Sequence, residues 1–572
     1  MGEIMGNFIK TQTSFANGEV SPNFFANSDI HGLAYMENMD VIPGGGIARR
    51  AGLKSVATLQ SQARLVSFSV SENENYILAI TNNSMRIFAN DQLVQDIVVP
   101  WAASDLHLLQ YAQRFGTMIF VHPDYKPQTL LRENGIFKLK EFVFSYNNAS
   151  DNINMPFMRF EDSENITIDL EAVADGVKLT TNHNFWTADN VYGHLSMLGK
   201  TFLIIRYIDE KNVIATCNGV FTYPNAPLSD WAEAVFSYRR GWPTSITFHQ
   251  NRLVFGGSKS WPGGVWMSCV GQHMNFDTGT GLDDEAIFFT LLSGRRQHIC
   301  TLISSDNLQI LTSEGEWAVS NKPLTPESVD VKMHTSVGSP ADIYLPPQSI
   351  EGKTIFISKN KKDIRELALD DFGQNYNANC LSTMSAHLIN LPIDIAYNKN
   401  DKRLFVVMND GDMAVLNHDE SVGISAWGRY TTNGKFYSVA VCNGRTFVVT
   451  KRNDSFYLER FDNSEMVDAT NKKYTVRAIG MPIMSSGHNV RKMQIRKIVA
   501  RLHNSKTLFI NNWRAELPTE IYADGAIGYS GDVSLNTVGT CRPIVDAPWE
   551  ISTTDAMPMT VLGVTIYGRY QI

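Results

Sequence analysis

Short apolar runs rich in Val, Ile, Phe and Tyr alternate with Gly, Asn and Asp along nearly the whole chain. Runs of this length, separated by polar turns, predict strands rather than helices. Many come in pairs: 76–80 with 85–88 across TNNS, 245–248 with 252–255 across HQN, and 308–311 with 316–319 across TSEG. The pattern continues at 354–358 with 363–369 across KNKK, 403–408 with 413–416 across NDGD, and 446–450 with 455–460 across KRND, and a further run lies at 118–121. Asn, Asp and Gly supply the positive-φ positions that tight hairpins require. The hairpins return about every 40–50 residues, the spacing of four-stranded propeller blades. A chain of β-sandwiches is the alternative. The likeness of the hairpins to one another favours a mostly β chain folded as a β-propeller of about five to seven blade-like units, without a WD or kelch signature.

Two stretches break the rhythm. Residues 143–240 open with the polar run SYNNASDNIN and carry β-like runs at 166–170 and 201–217, which predicts a small β-rich platform domain inserted between blades. The end of the chain carries runs at 491–502, 506–510 and 559–569, read as a β-sandwich or as a continuation of the inserted domain. The expected organisation is an N-terminal extended segment 1–58, a first propeller part 59–142, the insert 143–240, the main propeller part 241–480 and a C-terminal β-rich segment 481–572. One helix is predicted, over 103–114, with Ser104 as its N-cap.

Composition narrows the class. In 572 residues, 43% are hydrophobic and 10% aromatic, enough for a large packed core, so a mostly disordered chain is excluded. No apolar run approaches the roughly 18 residues of a membrane helix. The polar start predicts no secretory signal, and Gly6 stands where a myristoylation signal requires Ser or Thr. The net charge of −8 argues against a protein that grips nucleic-acid phosphates, but not against one that lets DNA pass. Cys217, Cys269, Cys300, Cys380, Cys442 and Cys541 stand alone without CxxC spacing, so they read as buried free thiols rather than a zinc ribbon or disulfide scaffold.

Candidate chemistry is sparse. Asp283, Asp284 and Glu285 could hold a hard cation, but they match a calcium loop poorly and read better as a solvated turn before a strand at 286–292. TSEGEW (312–317) is faintly similar to the Asp-box turn of sialidase-type propellers, with Glu314 where the Asp belongs. No GxSxG, HExxH, GxxxxGK[ST] or GxGxxG occurs. His107, His122, His249 and His273 read as turn or core residues. Trp266, Trp317 and Trp427 are expected to fill gaps between sheets. No catalytic, cofactor-binding or metal residue is assigned, and no cofactor is expected.

The segment SFANGEVSPNFFANSDIHGLAYMENMDVIPGGGIARRAG (14–52) resembles the opening of the phage tail nozzle proteins, the tail tubular protein B-like family of short-tailed bacteriophages. The family pattern falls on Gly18, Glu19, Ser21, Pro22, Asp29, Tyr35, Asn38, Val41, Pro43, Gly45, Gly46, Arg49, Arg50 and Gly52, with Ala51 in place of the usual Pro. Similar order continues through 105–132, through 241–277, where Gly241, Trp242 and Pro243 open a blade, and through 281–291, 312–320 and 324–341. Residues 391–572 are less distinctive. The resemblance implies a structural virion protein in the distal part of a short tail, assembled in the host cytoplasm. It would form a hexameric ring that conducts and gates the genome, docks a tail adaptor and fibres or spikes, and lets viral DNA pass without specific binding. A tail-associated propeller glycosidase or a glycan-binding propeller is the alternative reading. Arg49 and Arg50 are expected to anchor a neighbouring subunit's carboxylates, or else to be a solvated pair on a loop. Trp242 and Pro243 are expected to brace one blade edge against the next. Phe15, Phe24, Phe25 and Tyr35 are expected to place the segment 15–52 away from the propeller faces and against a partner, with the chain's own propeller as the alternative cover.

Overall fold

The computed structural model describes residues 5–27, 29–319, 323–370, 373, 375–469, 472–483, 492–517, 528–543 and 545–571. Strands dominate, and the longest helical element among the described residues is the six-residue 3-10 segment Thr383–Leu388. The chain divides into two compact units: one takes the residues up to Asp96 with Leu345–Ala368 and Asn379–Ile572, the other Ile97–Tyr344 with Leu369–Ala378.

The blade is the repeating element: four antiparallel strands, each paired with the next in sequence. Blade 1 is Arg64–Ser69, Asn75–Thr81, Ser84–Ala89 and Gln92–Val98. Blade 2 spans Gln110–Arg114 to Ile136–Glu141, blade 3 Ser245–His249 to Ile287–Thr290, blade 4 Ile299–Ser304 to Val331–Thr335, and blade 5 Gln348–Ile350 to Tyr376–Cys380. Blade 6 runs from Pro392–Asn398 to Ile424–Tyr430. Blade 7 has three strands from its own stretch, Lys435–Cys442, Arg445–Arg452 and Ser455–Asp462. Its fourth is Gly52–Leu59, antiparallel to the third from Phe456↔Leu59 to Asp462↔Gly52. A distant strand that completes the last blade is the closure of a β-propeller, and it fixes the fold. In the first unit the leading strands of blades 5, 6, 7 and 1 lie side by side in that order, and in the second those of blades 2, 3 and 4 do the same.

The turn chemistry follows the sequence. Asn83, Asn251, Asn443 and Asn453 all adopt positive φ in the hairpin turns. Strand interiors supply the cores: Leu78, Ile80, Val254, Ile310, Val406 and Val448 are each fully buried. Trp266, Trp317 and Trp427 are buried as expected.

The insert is a seven-stranded sheet between Phe157–Met158 and Trp231–Ala234, around a core of Trp186, Phe202, Leu179 and Trp231. The predicted helix over 103–114 is replaced by a 3-10 turn, Leu106–Leu108, and the strand Gln110–Arg114. Leu106 and Leu109 are buried ahead of the strand, which is the first of blade 2 and whose pairing with Thr117–His122 satisfies the backbone.

The C-terminal stretch does not continue the insert. Lys492–Ser505, Tyr529–Cys541 and Thr560–Gln571 form a six-stranded sheet with Met5–Gln12, Met39–Val41 and Ile47–Arg49 from the other end of the chain. Arg491, the expected first residue of that stretch, lies outside the described residues. Blade 6 meanwhile continues outward through Gly18–Glu19, Gly32–Glu37, Val476–Gly480 and Glu550–Thr553 into a ten-stranded sheet. The two sheets share one core that includes Phe15, Leu33, Ile498, Trp549, Ile551 and Val564, so this region is a β-sandwich built from both ends of the chain.

Candidate functional site

The residues singled out in segment 14–52 converge on the joint between blades 6 and 7 and the sandwich. Gly18 (φ 62) lies so close to the last strand of blade 6 that a Cβ there would sit 2.3 Å from the Trp427 carbonyl oxygen; only glycine allows this approach. The neighbouring Glu19 is buried. Its carboxylate accepts from the Met36 amide (2.8 Å), from Arg429 and from His387 Nε2 (2.8 Å). Burial alone would push the Glu19 carboxyl up, but the His387 and Arg429 contacts outweigh it and hold it below its ordinary value. Ser21 donates its amide to the Met384 carbonyl (2.7 Å), and Pro22 opens the 3-10 turn Pro22–Phe24.

A second knot surrounds Arg50, which is wholly buried. Its guanidinium meets Asp468 through two bonds of 3.0 and 2.9 Å, donates to Asn38 Oδ1 (2.7 Å) and to the Ala51 and Thr431 carbonyls, and stacks 3.7 Å from the Tyr474 ring centroid. Asn38 (φ 55) uses both ends of its amide, its Nδ2 reaching Thr431 Oγ1 and the Thr475 carbonyl. The pair with Asp468 holds the Arg50 pKa above its ordinary value despite burial. Arg49 bonds to Tyr474 Oη and to the Met466, Asp555 and Met557 carbonyls. Both expectations for this pair are therefore corrected. The arginines neither wait for another subunit's carboxylates nor lie solvated, because Asp468 and backbone carbonyls of this chain satisfy their donors.

Pro43, Gly45 and Gly46 form the turn between Met39–Val41 and Ile47–Arg49, with Phe15 donating to the Gly45 carbonyl at 2.7 Å. Gly52 starts the closing strand and donates to the Glu465 carbonyl (2.8 Å). Val41 is tied to Asn417 Oδ1 (2.6 Å), and Asp40 to Arg403 (3.1 Å) and Tyr430. Phe15 is fully buried in the sandwich core and Phe24 and Phe25 are half-buried. Tyr35 is half-buried too; burial and the adjacent Glu37 push its phenol up to about 12. Phe15 is thus covered by its own chain rather than by a partner, while Phe24, Phe25 and Tyr35 keep part of their rings exposed.

In the other unit, Gly241 (φ 83), Trp242 and Pro243 lead into blade 3. Trp242 donates its amide to Pro123 at the end of the second strand of blade 2, and its ring packs with Ile119, Val121, Ile246 and Phe255. It braces blade 2 against blade 3. Next to it, Arg240 is shared by Glu233 and Asp162.

Of the acidic triplet, Glu285 is occupied by backbone. The Glu285 carboxylate caps the amides of Thr280, Gly281 and Leu282, and these bonds lower its pKa. The strand after it is Ile287–Thr290. In TSEGEW the buried acid is Glu316. Burial raises its carboxyl, while Thr335, Val337 and Gly338 donate to it. His122 and His249 are buried, His107 sits on a 3-10 turn and His273 lies against Arg114. Cys269, Cys442 and Cys541 are buried thiols, but Cys217, Cys300 and Cys380 are only half-buried. A cavity of about 520 Å³ opens under Met5–Gln12, lined by Phe8, Lys10, Phe25, Trp549, Ile566 and Tyr570 among others, and its described lining includes no carboxylate. Sequence reasoning missed Asp468, Arg429 and His387, whose only signal is their type.

Glu19 gives the joint an acid dependence. Its lowered pKa means that its stabilisation is complete above about pH 4.3, the ordinary glutamate value, and is lost as pH falls through the lower folded value. Denaturant midpoints measured from pH 7 to pH 3 should fall steeply below about pH 4. Glu19→Gln should lower the plateau and flatten that acid limb; an unchanged limb would show that Glu19 does not carry it.

No protein-family model and no curated protein matches the chain. Among solved structures it is similar to BamB from Moraxella catarrhalis (13% identity, TM-score 0.33, covering 72% of this chain and 100% of that one). It is also similar to the WD40 repeats of RRP9 (8% identity, TM-score 0.37, covering 73% and 100%) and to the computationally designed Ika8 protein (12% identity, TM-score 0.35, covering 72% and 99%).

Proposed function

We propose that this chain is a non-enzymatic structural subunit of a short phage tail, the nozzle through which the genome leaves, working as a hexameric ring with a tail adaptor above it and fibres or spikes docked to it. One observation carries the proposal. The segment that resembles the nozzle family is built into the subunit as a joint of blade, closing strand and sandwich, with its charged residues Glu19, Asp40, Arg49 and Arg50 consumed by structural bonds. A joint whose charged groups are held by structural bonds suits a ring that bears load. The net charge of −8 suits a conduit that DNA traverses without sticking.

A propeller glycosidase needs two carboxylates poised across a cleft, one of them free to donate a proton. Glu316 and Glu285 are spent on backbone amides, and Glu233 and Asp162 on Arg240, which favours the structural reading. Negative-stain electron microscopy of the purified full chain tests it. Six-fold rings with an axial channel are expected; a monomer that releases reducing sugar from envelope glycan would replace the proposal with the enzyme.

A further inference from the structure

One histidine and two glutamates meet between two adjacent blades of the first unit. Glu351 sits in the two-residue turn between Gln348–Ile350 and Lys353–Ile357 of blade 5. His418 lies near the end of Met413–Asp419 in blade 6, and Glu420 opens the 3-10 turn that follows. One ring nitrogen of His418 and one carboxylate oxygen from each glutamate all lie within 4.8 Å of one another.

His418 makes this more than a cluster of surface acids. Its side chain is only 7% exposed, and its Nδ1 is buried with no hydrogen-bond partner. Its Nε2 lies 3.6 Å from Glu420 Oε1, outside hydrogen-bond length. A buried imidazole without bonds is costly. Two carboxylates crowded against it need positive charge among them. Lys353 supplies part of that charge: its Nζ is 2.5 Å from Glu420 Oε1 and 3.4 Å from Glu366 Oε1. Glu366 gives the ammonium a second seat, so Lys353 can leave Glu420 without becoming unpaired. Lys402, the other nearby ammonium, is held by Asp419 at 2.7 Å and does not compete.

We propose that Glu351, His418 and Glu420 bind a zinc-class divalent cation that staples the blade 5 turn to the corner of blade 6, displacing Lys353 onto Glu366. One imidazole with two carboxylates selects zinc or a neighbouring transition ion over calcium or magnesium. Tetrahedral bonds of roughly 2.0–2.2 Å set ligand atoms about 3.4 Å apart. The exposed Glu351 and Glu420 can close that gap by side-chain rotation while His418 stays fixed. A water would complete the coordination. The site stands whether or not the chain forms a ring.

Calorimetric titration of chelator-treated full-length protein with zinc chloride tests this. Cobalt(II), read by its visible absorption, reports the geometry. One equivalent of zinc should bind. His418→Ala and, separately, Glu351→Gln should each weaken binding at least tenfold, and Lys353→Met should tighten it. If His418→Ala does not fold, Glu351→Gln decides, since that side chain lies on an exposed turn. Absence of binding, or binding that neither ligand variant weakens, would overturn the proposal and leave these residues as an ion-pair network around Lys353. Unchanged affinity in Lys353→Met would overturn the displacement.

Discussion

Arg50→Met is expected to destabilise the protein by about 3–5 kcal/mol, because it strips the partner from a carboxylate that has no water to fall back on. Asp468 is fully buried, and besides Arg50 it is met by Thr432 at 2.7 Å. The same substitution removes a donor from the Thr431 carbonyl and one of two donors from Asn38 Oδ1, which keeps the Thr431 amide at 2.9 Å. Urea midpoints of the full chain measure the loss. Adding Asp468→Leu in the Arg50→Met background should return much of it, since apolar side chains often replace a buried ion pair at little cost. A single variant as stable as the parent would mean the pair contributes nothing beyond its own desolvation.

Removal of residues 1–59 should have a still larger effect. It takes away the fourth strand of blade 7, the parallel strand Gly18–Glu19, the strand Gly32–Glu37 and three strands of the sandwich sheet. The edge of Ser455–Asp462 would be left open, which invites aggregation. Phe15, Leu33, Met36, Met39 and Ile47 would leave the sandwich core, at about 1.5–3 kcal/mol each. These five losses alone come to about 7.5–15 kcal/mol, as much as the roughly 5–15 kcal/mol stability of an ordinary domain. The truncated chain should be unfolded or aggregated, by circular dichroism and size-exclusion chromatography. A soluble truncated chain with a cooperative melt would mean that the segment is an appendage.

The hairpins were legible because their signal is local: a few apolar residues, then Asn, Asp or Gly where φ must be positive. The closing strand was not. Gly52–Leu59 reads GLKSVATL, interrupted by Lys54, Ser55 and Thr58, and its partner lies some 400 residues on, so nothing nearby marks the pairing. Arg50 was misread, and the role of Glu19 not seen, for a related reason. Charged residues are expected outside, and the carboxylate and guanidinium that bury them here, Asp468 and Arg429, come from the far end of the chain. In 103–114, Leu106 and Leu109 suit a helix face, but hydrogen bonding within blade 2 decided the outcome. The inserted sheet was visible through its compositional break. For the C-terminal stretch a sandwich was one of two readings, but its strands from the N-terminal segment were not legible, because neither half can bury a face without the other.

Everything rests on the N-terminal segment being part of the subunit's own framework. Hydrogen exchange of the full chain, read by mass spectrometry over the peptides covering residues 52–59 and 455–462, tests this most directly. The amides of both strands should be protected to the same degree and open together, with a free energy close to that of global unfolding. Rapid exchange of residues 52–59 while residues 455–462 stay protected would show that the closing strand is not part of the blade, and would contradict the account.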